Sequence, residues 1–166
     1  STSEVYGPTA YQLDEDSFQV EIQKGKRKVL LSGAIQKKEK KQSSYSATWA
    51  RDSNMAFTAL DNAKFQCEND SNHETFISAR TGNQFVEAHH LIPMEYQANF
   101  SVSIDVPENI VSLCPNCHRA FHNSELSIKE ELISKFYGIR NSSLKEREIH
   151  VSKEEILQYY ITKPNN

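Results

Sequence analysis

Two stretches, Val86-Glu-Ala-His-His-Leu-Ile-Pro93 and Asn109-Ile-Val-Ser-Leu-Cys-Pro-Asn-Cys-His-Arg-Ala-Phe-His122, decide how this chain reads. Gln84 to Leu91 predicts a β-strand that runs into Pro93, and Ile110 to Leu113 is apolar and short enough for a second strand. Pro115 suits the first turn of a helix, where its missing N–H costs nothing. That helix would carry Cys117, His118 and His122. His118 and His122 stand at i and i+4, so both imidazoles point to one helix face. Such a pair is half of a metal site. His89 and His90 are neighbours at a strand end and point to opposite sides. One can then bind a metal while the other works as a base.

The cysteines lie in or just before the same region. Cys67, Cys114 and Cys117 are the only three, and an odd count closes no disulfide framework. Cys114-Pro-Asn-Cys117 brings two thiolates to one tetrahedral ion, and Cys67 is the remaining thiol. Asp70 and His73 follow Cys67. A Cys3His structural zinc site is the expectation, with His73 preferred because imidazole is the commoner structural ligand and Asp70 as the alternative. A redox pair would call for a thioredoxin-like strand–helix setting, which is absent. Five of the six histidines fall between positions 73 and 122.

The rest of the composition bounds the class. The chain has 166 residues, 37% hydrophobic and 25% charged, with five Gly and five Pro, as in one ordinary globular domain. Collagen-like, disulfide-dense and wholly disordered classes are excluded. No apolar run approaches the roughly 18 residues of a membrane span. Neither a membrane partner nor a signal peptide is expected, and reduced metal-binding thiols suit the cytoplasm. The opening Ser1 suggests a piece cut from a larger parent. The net charge of −3 argues mildly against a nucleic-acid partner. Yet nine Lys or Arg against two acids between Ser17 and Arg51 make that block +7, and the remainder −10. Lys37 to Lys41 reads either as a solvated linker or as an arm that tracks phosphates.

Outside the decisive stretches, Phe18, Val20 and Ile22 alternate before Lys24-Gly25-Lys26, which predicts a β-hairpin over 18–31. Lys37 to Ser46 reads as a linker. Residues 1–46 are therefore expected to be an N-terminal extension, with a hairpin from a preceding domain, and 47–166 the main domain. Trp49, Ala56, Leu60 and Ala63 predict a helix over 48–64. Phe65 to Thr75 reads as turns, and Glu95 to Glu108 as a loop. A helix over Ser127–Tyr137 should stop at Gly138. Ser152-x-x-Glu155 is a capping box that opens a last helix to about Ile161.

The two quoted stretches together resemble the HNH nuclease motif, over about Arg51 to His122. Eight residues separate Asn109 from His118 and three separate His118 from His122, as in DNase colicins. The cysteine pattern is similar to nuclease domains of modification-dependent restriction endonucleases. One departure is Asp70, where many relatives have a second Cys of a first C-x-x-C pair. The resemblance implies an α+β fold: a ββα-metal core braced by structural zinc and flanked by helices. It implies metal-dependent hydrolysis of double-stranded DNA in restriction or defence, with 5′-phosphate and 3′-hydroxyl products. His90 would be the general base. His89, His118 and His122 would hold one catalytic divalent ion (Mg²⁺, Mn²⁺, Ni²⁺ or Zn²⁺), with His122 the variable member of the set. Asn109 would order the loop and help orient the base. Glu87 reads equally as a hydrogen-bond partner of a ligand imidazole or as a solvent-facing strand residue. Arg119 and Arg80 read either as phosphate contacts or as plain surface. A homodimer is attractive, because two strand cuts need two sites.

Two other classes remain. A zinc-braced DNA-binding module would need no general base, so the full His and Asn set argues against it. A toxin-type nuclease domain would be strongly basic and would lack the cysteine site.

Overall fold

The computed structural model describes residues 10–42 and 47–161. Its centre is a two-stranded antiparallel ribbon of β3 (Glu87–His90) and β4 (Ile110–Leu113), followed by α3 (Pro115–Asn123). The register pairs Glu87 with Leu113, Ala88 with Ser112, His89 with Val111 and His90 with Ile110. Every residue of β4 is buried. A two-stranded ribbon is barely stable alone, and here both faces are covered. On one face Ala88 and Ile110 join Phe18, Ile22, Ala56, Leu60 and Val86. On the other, Val111 and Leu113 join Phe121, Ile133, Phe136, Leu144 and Ile156. The alternation of side chains along β4 sends neighbours to different cores.

The first face is built by α1 (Ala10–Gln23) and α2 (Ser53–Asn62). The hairpin expected over 18–31 is therefore overturned. Phe18 and Ile22 alternate with Val20, but they also stand at i and i+4, and both are buried while Val20 is 54% exposed. Helical spacing wins because it also places Gln19 on β3. The Gln19 amide donates to the Ala88 carbonyl at 2.9 Å and accepts the Ala88 N–H at 3.0 Å, standing in for a neighbouring strand.

The expected linker contains β1 (Lys40–Gln42), which pairs with β2 (Ala47–Trp49), while 43–46 lie outside the described residues. Because β2 takes Trp49, α2 begins five residues later than the spacing predicts. Its start is marked by Asp52, whose carboxylate accepts the Asn54 N–H at 2.9 Å. Lys64 and Phe65, both at φ 54°, turn the chain out of the helix. The loop over 95–108 contains two 3₁₀ turns, Met94–Asn99 and Pro107–Asn109.

The second face is built by α3, α4 (Leu126–Glu146) and α5 (Lys153–Ile161). α4 does not stop at Gly138. A mid-helix Gly costs about 1 kcal/mol against Ala, less than burying Leu144 beyond it returns. The capping box forms: Glu155 N–H donates to Ser152 Oγ at 3.1 Å, and Ser152 N–H donates to Glu155 Oε1 at 3.3 Å. Among the described residues no helix is long and apolar enough to cross a membrane.

Candidate active site and metal centres

Two clusters of metal-binding side chains meet at the start of α3. The first joins Cys67, His73, Cys114 and Cys117, with ligand atoms all within 4.8 Å of one another. Cys114 caps α3 and Cys117 sits in its first turn. His73 Nδ1 stands 3.8, 3.7 and 3.4 Å from the sulfurs of Cys67, Cys114 and Cys117. A tetrahedral zinc with ordinary Zn–S and Zn–N bonds needs N···S edges of about 3.6 Å, so the donors fit. All three thiols are free of disulfides. Asp70 lies outside the group, 3.6 Å from the other nitrogen of His73.

The thiols differ. Burial raises Cys67, but the backbone amides of Cys114 and Asp70, with His73, outweigh it and bring the thiol down to about 7. Burial, reinforced by the neighbouring thiols, pushes Cys117 up to about 12. Asn69 donates to Cys117 Sγ at 3.3 Å, and Lys135 of α4 holds Asn69 in turn. Ionising all three crowded thiols together calls for a cation at their centre.

The second cluster joins His89, His118 and His122. His118 and His122 present Nε2 atoms 3.2 Å apart, and the His89 ring stands 5.2 and 4.9 Å from theirs. His118 Nδ1 meets Glu87 Oε1 at 3.1 Å. His89 Nε2 meets the Tyr160 hydroxyl at 2.7 Å, and that hydroxyl donates to the Leu91 carbonyl at 2.7 Å. The hydroxyl proton is thus committed, so His89 donates from Nε2 and keeps a lone pair on Nδ1. Burial, then repulsion from His122 and His118, holds His89 well below the usual imidazole range. His122 is an exposed residue, but its ring lies against the other two, and burial with His118 lowers it to about 4. Three imidazoles whose ligand nitrogens converge fit a divalent ion with open positions.

His90 lies outside this group, as strand alternation requires. Its Nε2 meets Asp105 Oδ1 at 2.8 Å. Asn109 is fully buried. Its side chain accepts the Ile92 N–H at 2.8 Å and donates to the carbonyls of Ile92 and Ile104 at 3.0 and 2.9 Å. It staples the two ends of the β3–β4 connection and so fixes where His90 leaves its strand.

The strand, strand and helix around the three imidazoles, with the cysteine knuckle at the corner, lie in a stretch that resembles known proteins in sequence. Residues 56–129 match the HNH_2 family model, described as HNH endonuclease. Over those residues the chain is similar to HNH endonucleases. It is also similar to the type IV methyl-directed restriction enzyme EcoKMcrA of Escherichia coli (strain K12), at 31% identity over 135 residues. That match covers 81% of this chain and 45% of the enzyme, so the chain spans somewhat under half the length of this relative.

Within the matched stretch, Arg119 is exposed on α3 directly after His118, and Arg80 is exposed on a turn between the bridged residues Ile77 and Gln84. Neither enters a metal cluster. Much of the basic block is neutralised internally: Lys28 pairs with Asp52 at 2.5 Å, Arg27 with Asp61 at 2.8 Å and Arg51 with Glu15 at 2.7 Å. The Arg51 guanidinium lies 3.9 Å from the Phe18 ring centre, and that ring neighbours His90. Tyr160, Asp105 and Asn69 escaped the sequence reading. Each acts across a long stretch of chain, and only the i, i+4 step from buried Ile156 hinted that Tyr160 faces inward.

Proposed function

We propose that this HNH domain hydrolyses phosphodiester bonds of double-stranded DNA in restriction of foreign DNA, with a divalent ion at His89, His118 and His122. The observation that carries this reading is the open three-imidazole cluster beside the separately held His90. Cys67, His73, Cys114 and Cys117 bind structural zinc and lock the corner where β4 becomes α3. His90 takes a proton from the attacking water, a task suited to an imidazole near neutral pH. The water oxygen bonds to phosphorus as the bond to the 3′ oxygen breaks, and that oxygen takes a proton from solvent, which leaves a 5′-phosphate and a 3′-hydroxyl. A divalent ion bound there supplies charge neutralisation of the phosphate and of the leaving oxygen. Arg119 holds a flanking phosphate, and Arg80 reaches the backbone further along. Glu87 and Tyr160 keep two ligand rings aimed inward. Cutting both strands pairs two copies of the chain.

The test is cleavage of methylated and unmethylated plasmid with a panel of divalent ions and a His90→Ala control. Ion-dependent nicking or linearisation, abolished in the control, is expected. End-labelling should find 5′-phosphates. DNA binding by the wild type without cleavage under any ion would replace this reading by a zinc-braced binding module.

A further inference from the structure

The geometry points to Asp105 as the positioning residue that sets which nitrogen of His90 acts as the base, an inference that rests on the nuclease reading above. Asp105 and His90 are both buried, each with a side chain 7% exposed, and His90 Nε2 stands 2.8 Å from Asp105 Oδ1. The carboxylate is held at its other oxygen too. Asp105 Oδ2 accepts the backbone N–H of Asp52 at 2.7 Å. Asp52 is the cap of α2, and its own carboxylate is held by Lys28. Asp105 N–H donates to Ser103 Oγ at 3.1 Å, which fixes its backbone. Asp105 therefore cannot swing away from His90 without breaking its bond to the Asp52 N–H.

An ionised carboxylate only accepts hydrogen bonds. His90 must therefore present Nε2–H to Asp105, and its lone pair stays on Nδ1. Nδ1 takes the proton from the attacking water. The resulting imidazolium keeps both N–H bonds, and its charge is stabilised by the Asp105 carboxylate, which takes no proton itself. The dyad orients the ring and favours the charged state that forms during the reaction.

Substitution by asparagine makes the assignment testable. The Asp52 N–H needs an acceptor, so Asp105→Asn turns its carbonyl oxygen there and its NH₂ toward His90. Nε2 then becomes an acceptor, the proton moves to Nδ1, and the base is blocked. Asp105→Ala removes the partner but leaves His90 free to choose its tautomer. Asp105→Asn is thus expected to cleave more slowly than Asp105→Ala. Its kcat should fall by about 10²–10⁴-fold, the ordinary contribution of a general base, with KM and zinc content unchanged. A merely structural role would reverse that order, because Asn keeps the shape. The second readout is ¹⁵N NMR of histidine-labelled full-length chain, with His90 protonated on Nε2 in wild type and on Nδ1 in Asp105→Asn. Wild-type His90 carrying its proton on Nδ1, Asp105→Asn cleaving like wild type, or Asp105→Ala proving the slower variant would each overturn the assignment. A wild type that cleaves no DNA overturns the nuclease reading before any variant is made, and removes the catalytic role of Asp105 with it.

Discussion

Cys117 and His118 are consecutive residues of α3, yet they belong to sites of opposite character. The Cys67–His73–Cys114–Cys117 knuckle offers four protein donors, a complete tetrahedron with no position left over. Its further partners, Asn69 and backbone amides, hold the sulfurs in place. The His89–His118–His122 cluster offers three donors and leaves room for something else. Its further partners, Glu87 and Tyr160, accept ring protons and turn lone pairs inward. In the proposed reading, one turn of helix is an anchor on one side and a reactive surface on the other. A saturated site can only hold the fold, whereas an unsaturated one can also bind substrate.

Cys117→Ala should have the largest effect. Structural zinc contributes about 10–16 kcal/mol in small zinc domains, so this variant should lose its cooperative thermal melt and its zinc content together. His90→Ala should keep both and lose about 10²–10⁴-fold in cleavage rate. Equal loss of folding in the two variants would break the distinction between anchor and reactive site. Tyr160→Phe removes the hydroxyl partner of His89 without touching the knuckle. Calorimetric titration should show divalent-ion affinity at the imidazoles lower by about 10–100-fold, the usual effect of losing such a partner, with tightly bound zinc retained.

Acid should also separate the two sites. The folded-state pKa of His122, about 4, lies below the unfolded value of about 6.5. Between these values the unfolded chain binds more protons, so stability is present above pH 6.5 and falls as pH drops toward 4. Thermal melts across that window should show His122→Gln with a shallower slope than wild type at equal zinc content. The smallest change is remote from both sites. Gly138→Ala, where an added Cβ meets nothing within 4 Å, should raise stability by about 1 kcal/mol in denaturant titration and leave cleavage unchanged.

Much of the reactive corner was legible because its signals are local. Pro115 after a short apolar strand announced α3, and the i, i+4 step placed His118 and His122 together. Ser152 and Glu155 announced the start of α5. The errors came where two periodicities fit the same residues, as for Phe18, Val20 and Ile22, or where one glycine was asked to end a helix, as at Gly138. The residues that complete the site were beyond local rules. Gln19 covers a strand edge 69 residues away, Asp105 reaches His90 across 15, and Tyr160 reaches His89 across 71.

By itself, then, the sequence determined the donors, their spacing and the strand–strand–helix unit that carries them, because periodicity, capping and ligand spacing act within a few residues. Tertiary structure alone decided that α1 is a helix and which groups take the second nitrogen of each imidazole. Those choices depend on which surfaces pack together and which buried polar atoms then need partners. No short stretch of chain contains that information.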